Sequence, residues 1–232
     1  MKIQAIIPAA GSGSRLKTSV PKPFIVLNGL PLIVHTLKRF EECALIQGVI
    51  LVVPSEQMGD FEALIKKYAI SKVNRLVVGG KTRCESVSKG LAVIDHDTAV
   101  VVVHDGARPV VDAALIERAI HACQEYGAVV VGVPIKPTIK RVDPQSMSVA
   151  QTIDRKDLWE IQTPQVFKRD ILVKAHEQNQ GKDVTDCAML VEQMGVSVKI
   201  IEGDYRNIKV TTEEDLTIAQ AFIAQGNGQL KP

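Results

Sequence analysis

The sequence predicts an α/β fold: a three-layer sandwich with a mostly parallel sheet between helices, and a projecting β-arm. Three observations predict it. Short, strongly apolar runs alternate with segments of helical period from Ile3 to Val133. The runs are apolar at consecutive positions, as in Val100–Val103, which marks strands covered on both faces. Beyond Pro134 the alternation stops and a stretch of turns and short alternating segments begins.

In order along the chain, Ile3–Pro8 reads as a buried strand that runs into glycines. Pro31–Phe40 reads as a helix, with Pro31 suited to its first turn. Strands at Val49–Val53, Arg75–Val78 and Ala99–Val103 are followed or preceded by helices at Met58–Tyr68, Cys84–Ile94 and Ala113–Tyr126, and Ala128–Val133 is the next strand. Residues 135–157 hold Pro137, Pro144 and the alternating pieces Thr138–Val142 and Ser148–Ile153, with no helical period, and read as the arm. The chain resumes at Leu158–Phe167. Helices follow at Arg169–Gln178 and Thr185–Met194, then a strand at Val196–Ile200, a helix at Glu213–Ile223 and a frayed end from Gly226. No repeat or linker divides the 232 residues, so one domain is expected. Right-handed crossovers would bring the strand C-termini to one edge, where open α/β sheets bind ligands.

Composition narrows the function. The chain is 46% hydrophobic and 23% charged, ordinary for a folded globular protein. A net charge of +2 lacks the basic field that nucleic-acid binding needs, but leaves room for one small polyanion at a local site. Cys43, Cys84, Cys123 and Cys187 form no Cys-x-x-Cys pair, which favours reduced thiols over a disulfide framework or zinc site. The N-terminus enters a strand without a signal or transit pattern, and no apolar run reaches membrane-spanning length. The expectation is a cytoplasmic protein, bacterial in the simplest reading, or a plastid stromal one whose transit peptide is missing.

The chemistry-bearing motifs fall after the strands. Pro8-Ala9-Ala10-Gly11-Ser12-Gly13-Ser14-Arg15 is a small-residue loop whose backbone N–H groups can approach phosphates. It is not a dinucleotide fingerprint, because Leu16 stands where a third glycine would be, and it lacks the Gly-Lys-Ser/Thr of a Walker loop. Gly80-Lys81-Thr82 has the Walker ending, but Arg75 occupies the upstream glycine position. Arg15 follows the first loop, and Lys22 is braced between Pro21 and Pro23; such cations suit a triphosphate with charge building on its α-phosphate. Gly79-Gly80-Lys81-Thr82-Arg83-Cys84-Glu85-Ser86 opens a helix at a second strand end, where N–H groups and Ser86 can meet a base or sugar. His104-Asp105-Gly106-Ala107-Arg108-Pro109 places Asp105 for a metal–phosphate complex or ligand hydroxyl and Arg108 for a second phosphate. His104 reads as a structural histidine rather than a general base. Asp95-His96-Asp97 precedes its strand, lies on the wrong edge, and reads as a solvated turn. Thr163-Pro164-Gln165, Thr185-Asp186 and Asn207-Ile208-Lys209 follow, with Lys209 a third candidate cation.

The ordered set resembles the 2-C-methyl-D-erythritol 4-phosphate cytidylyltransferases of the non-mevalonate isoprenoid pathway, over essentially the whole chain. The resemblance implies a Rossmann-like, GT-A-like nucleotidyltransferase fold. It implies transfer of CMP from CTP to methylerythritol phosphate with release of pyrophosphate. It implies Mg²⁺ held through CTP phosphates, with no direct protein ligand expected and Asp105 as the one candidate. It further implies a homodimer whose arms, residues 135–157, are exchanged into the partner's active site. By motif, Arg15, Lys22 and Lys209 would be catalytic. Ala9, Ala10, Gly11 and Gly13 would face the nucleotide on the first loop, with Gly80, Lys81, Arg83, Ser86 and Asp105 around the cytidine. Asp105, Arg108, Thr163 and Thr185 would line the acceptor side, and Thr138 and Arg155 would come from the arm. Lys81 departs from the acidic residue some members carry.

The rival within the class is ribitol-5-phosphate cytidylyltransferase, whose motif usually reads His-Asp-Ala-Val-Arg-Pro rather than the His-Asp-Gly-Ala-Arg-Pro found here. A non-catalytic nucleotide-binding module would not need three cations around an α-phosphate. A nicotinamide oxidoreductase fails on the missing fingerprint. No Ser-His-Asp or Cys-His arrangement suggests a covalent intermediate. A phosphate acceptor, anionic near neutral pH with a second pKa of about 6, needs no general base.

Overall fold

The computed structural model describes residues 1–227 except 12, 14, 17, 19 and 180–183. Ser12 and Ser14 of the first glycine loop therefore lie outside the described residues, as does the chain beyond 227, where fraying was expected. The elements in order are β1 (Lys2–Pro8), β2 (Val26–Leu27), β3 (Leu30–Pro31), α1 (Leu32–Glu42), β4 (Gly48–Val53), α2 (Met58–Lys67), β5 (Val73–Val78), α3 (Arg83–Leu91), β6 (Thr98–Val103), α4 (Ala113–Tyr126) and β7 (Ala128–Pro134). Then come β8 (Ile139–Val142), β9 (Val149–Ile153), β10 (Trp159–Lys168), α5 (Arg169–Gln178), α6 (Cys187–Gln193), β11 (Lys199–Glu202) and α7 (Glu213–Asn227).

Seven strands form the central sheet in the order β11-β7-β10-β6-β1-β4-β5. Period-two alternation of fully apolar strands explains the three layers. Ile3, Ala5 and Ile7 of β1, with Val100 and Val102 of β6, pack into the core beneath α1, α2 and α4. Ile6, Val101 and Val103 face the opposite core, beneath α3, α5 and α6. Gln4 is the polar exception in β1. Its amide is satisfied at the strand's start, where its Oε1 accepts Asp95 N–H at 2.8 Å and the Thr98 hydroxyl at 2.6 Å. A third, smaller core joins α7 to the β2–β3 hairpin through Leu27, Leu32, Ala219 and Ile223.

One strand departs from the parallel expectation. β10 runs antiparallel between β6 and β7, so not every strand ends at the same edge. The arm is the reason. The chain leaves β7 at Pro134, forms the antiparallel β8–β9 hairpin, and re-enters at Trp159, directly opposite Pro134. A chain that returns without a crossover must pair antiparallel. The β10 register shifts between Gln162 and Gln165, so a bulge at Thr163-Pro164 interrupts the ladder at the level of the carboxyl edge of β6. Other boundaries also move. α6 starts at Cys187 rather than Thr185, because the Asp186 carboxylate caps Met189 N–H at 2.9 Å. The last strand is Lys199–Glu202 rather than Val196–Ile200, set by pairing with Val129–Gly132 of β7. The last helix runs on to Asn227, past the expected end at Ile223.

Phe167 sits at the centre of the second core with no exposed surface. Phe167→Ala should lower unfolding free energy by about 3–5 kcal/mol, read by urea denaturation.

Candidate active site

The carboxyl ends of β1, β5 and β6 converge on a pocket of about 260 Å³. Ala9, Ala10, Gly11, Gly13 and Arg15 line it from the first loop, and Lys22 from the short turn Lys22–Phe24. Gly80, Lys81, Arg83 and Ser86 line it from the start of α3, Asp105 from the end of β6, and Lys209 from the segment before α7. Every residue expected to be catalytic or to touch the nucleotide is thus in one wall or another. The remaining five expected residues do not line this pocket. Arg108 is buried, its Nη1 donating to the Asn207 carbonyl at 2.5 Å. Thr163 is buried in β10, and Thr185 is exposed just ahead of α6. Thr138 and Arg155 are exposed on the arm, where Arg155 donates to the Lys136 carbonyl.

Local chemistry explains the loops. Gly13 has φ +62°, a left-handed conformation in which a side chain would be strained. At Gly79 a Cβ would stand 2.4 Å from Ala10 Cβ, so only glycine lets the second loop close against the first. The Thr82 hydroxyl accepts Glu85 N–H at 3.1 Å, and the Glu85 carboxylate accepts Lys81 N–H at 2.7 Å. This reciprocal cap fixes the helix start. Ser86 Oγ accepts Gly80 N–H at 3.1 Å and donates to the Thr82 carbonyl at 2.9 Å, bracing the loop from inside. Gly79→Ala should drive the loops apart; overpacking of this kind costs about 1–3 kcal/mol, so CTP affinity measured by calorimetry should fall about tenfold.

The electrostatic centre is Asp105. Its Oδ1 accepts Arg83 Nε at 2.8 Å and its Oδ2 pairs with Lys209 Nζ at 2.7 Å. Burial alone would raise the carboxyl pKa, but Arg83 and Lys209 outweigh it and hold the group well below the usual carboxylate range. The same pair pushes the Arg83 pKa upward against burial. Lys22 behaves oppositely: burial, then repulsion from Lys209 and Arg15, lowers its pKa. Its Nζ donates to the Val210 carbonyl at 3.0 Å. Five cations, Arg15, Lys22, Lys81, Arg83 and Lys209, therefore share a cleft with one carboxylate, Asp105, a field built for a polyanion.

His104 is fully buried, and burial pushes its pKa down to about 3, which removes it as a base at neutral pH. The Asp95-His96-Asp97 turn is on the opposite edge, and is ion-paired rather than merely solvated: Asp95 meets Lys2 at 2.8 Å and Arg75 at 3.0 Å. Among the described residues no cluster of three His, Cys, Asp or Glu side chains is arranged to hold a metal, none of the four cysteines forms a disulfide, and no helix is long and apolar enough to cross a membrane. Sequence reading missed several pocket walls, among them Leu32, Ile33 and Thr211. The apolar members carry no chemical signature, and only their strand-end or loop positions pointed to them.

A mostly parallel sheet with two glycine loops and five convergent cations at its carboxyl edge defines a nucleotide-dependent transferase of the nucleotidyltransferase class. The chain belongs to the 2-C-methyl-D-erythritol 4-phosphate cytidylyltransferase family, IspD, whose model matches residues 3–225. It is 45% identical to the 2-C-methyl-D-erythritol 4-phosphate cytidylyltransferase of Geobacillus thermodenitrificans over 226 residues, covering 97% of this chain and 98% of that one. It is 43% identical to the bifunctional enzyme IspD/IspF of Desulfotalea psychrophila over 95% of its own length, and spans 56% of that protein. The crystal structure of 4-diphosphocytidyl-2C-methyl-D-erythritol synthase from Anaerococcus prevotii superposes with a TM-score of 0.84 at 32% identity, covering 96% of each chain.

Proposed function

We propose that this enzyme transfers CMP from CTP to 2-C-methyl-D-erythritol 4-phosphate, giving 4-diphosphocytidyl-2-C-methyl-D-erythritol and pyrophosphate, in isoprenoid precursor biosynthesis. The observation that carries the reading is the convergence of Arg15, Lys22 and Lys209 on one pocket with both glycine loops, in a chain of this family.

The acceptor's phosphate oxygen attacks the α-phosphorus of CTP in line, and the bond to the β-phosphate bridging oxygen breaks as pyrophosphate leaves. The obstacle is bringing two polyanions together. Arg15, Lys22 and Lys209 neutralise the triphosphate and stabilise charge on the α-phosphoryl oxygens and the leaving group. Ala10, Gly11 and Gly13 of the first loop present backbone N–H groups to the nucleotide, while the Gly80 and Lys81 N–H groups are taken by Ser86 and Glu85 within their own loop. A divalent cation fits as a companion of the triphosphate: Asp105 is the pocket's carboxylate and both its oxygens are ion-paired, a donor set that suits Mg²⁺ bound chiefly by phosphate oxygens and water. When bound, that ion supplies further charge neutralisation.

The acceptor side is completed by a second copy of the chain. Thr138 and Arg155 lie on an exposed arm that also exposes Val142, Met147 and Val149, apolar surface suited to a homodimer contact. Mixing Lys22→Ala chains with Arg155→Ala chains, each inactive alone, should restore activity in the mixed dimer if the sites are composite. Activity that stays absent in verified mixed dimers would confine each site to one chain. Reduced buried thiols and bacterial relatives support a cytoplasmic setting.

CTP labelled at the α-phosphorus tests the chemistry. Label should pass to methylerythritol phosphate with inversion at phosphorus. Retention, or label trapped on the protein, would replace direct displacement by a covalent intermediate.

A further inference from the structure

His104 is a buried residue that the reaction does not use, yet it joins the two segments that shape the acidic centre of the site. The ring follows β6 and packs on Phe40, with ring centroids 5.2 Å apart. Its Nδ1 lies 3.1 Å from the Thr163 hydroxyl in the bulge of β10. That hydroxyl accepts the backbone N–H of Asp105 at 3.0 Å. On the other side of the ring, Nε2 faces the Arg108 carbonyl at 3.4 Å, and Arg108 N–H closes the turn on the Asp105 carbonyl at 3.0 Å.

These contacts fix the protons. A carbonyl cannot donate, so the nitrogen that meets Arg108 must carry hydrogen, which puts the ring proton on Nε2. The Thr163 hydroxyl accepts from Asp105 through one lone pair and can give its own proton to Nδ1, which the Nε2–H tautomer leaves bare. The Arg108 end requires a proton on Nε2, and the Thr163 end accommodates a bare Nδ1, so the neutral Nε2–H tautomer fits both. One imidazole thereby spans the turn from His104 to Arg108 and orients the hydroxyl that receives the Asp105 backbone. The Asp105 carboxylate in turn reaches Arg83 and Lys209, on two other segments of the chain.

We propose that His104 is a positioning residue for CMP transfer: as the Nε2–H tautomer it orients the Thr163 hydroxyl, which seats the Asp105 backbone so that its carboxylate holds Arg83 and Lys209 in the pocket. His104 lines no part of the pocket itself and touches no reacting atom. The proposal rests on the cytidylyltransferase reading for its kinetic consequence and on the hydrogen-bond geometry alone for its tautomer.

Two measurements test it. In the wild-type enzyme carrying ¹⁵N-labelled histidine, the His104 ring should show a protonated Nε2 and an unprotonated Nδ1. The opposite tautomer or an imidazolium would overturn the proposal, and this readout does not depend on turnover, so it separates failure here from failure of the assigned reaction. The second is a pair of variants. His104→Asn leaves an amide oxygen where Nδ1 stood and can still accept from Thr163. His104→Phe keeps a ring against Phe40 and removes the acceptor. His104→Phe should lose at least about tenfold in kcat, as small misplacements of charged groups do, with a much smaller change in KM for CTP, while His104→Asn recovers most of the loss. Equal losses in both variants, or wild-type kcat in His104→Phe, would overturn the positioning role. If His104→Phe does not fold, the tautomer and the activity of His104→Asn decide: a bare Nδ1 with kcat within about threefold of wild type upholds it, and a larger loss in His104→Asn overturns it.

Discussion

Lys22→Ala is expected to lower kcat by about 10²–10³-fold while changing CTP affinity far less. The ammonium is held by the Val210 carbonyl and braced by Pro21 and Pro23, so its place does not depend on the ligand. Burial and two neighbouring cations lower its pKa, which means the free enzyme holds this charge at a cost that an incoming polyanion relieves. The relief should be greatest when negative charge builds in the transition state. The alkaline limb of kcat/KM should therefore appear below the value of an ordinary lysine, about 10.4. A variant that loses affinity and turnover in equal measure would make Lys22 a binding residue.

Asp105→Ala carries the second large effect. The carboxylate is the counter-charge in a cleft of cations, and removing it leaves Arg83 without its carboxylate partner and Lys209 free to swing away. Breaking one partner of a buried pair costs about 3–5 kcal/mol, so a fall in the urea midpoint is expected together with loss of transfer. Asp105→Asn keeps the shape and should lose nearly as much, which would assign the effect to charge. The pH dependence follows from the lowered carboxyl pKa. The stabilisation is fully present above the unfolded value of about 3.9 and is lost as pH falls through the lower folded value. Wild type should therefore keep this contribution throughout the neutral range, and the stability gap to Asp105→Asn should narrow only in strong acid.

The sheet was legible because its strands are apolar on both faces, which Val100–Val103 and Val49–Val53 display directly. The arm was legible because Pro137 and Pro144 break any helical reading. The direction of β10 was not legible: Trp159–Lys168 mixes polar and apolar residues, and its place between β6 and β7 follows from where the arm returns the chain. Val196 and Val198 are β-branched yet lie outside the last strand, since the β7 edge sets the pairing register. In the site, the nucleotide side was legible because glycine loops and flanking cations follow strand ends. The pairing of Asp105 with both Arg83 and Lys209 was not, because it joins three segments far apart in sequence. The same holds for Arg108, whose charge suggested a phosphate but whose Nη1 is spent on the Asn207 carbonyl.

Pyrophosphate release from CTP and Mg²⁺, with methylerythritol phosphate and ribitol-5-phosphate offered in parallel, tests the central claim most directly. Rapid release with methylerythritol phosphate and little with ribitol-5-phosphate is the predicted result. Preference for ribitol-5-phosphate, or release with neither acceptor, would contradict it.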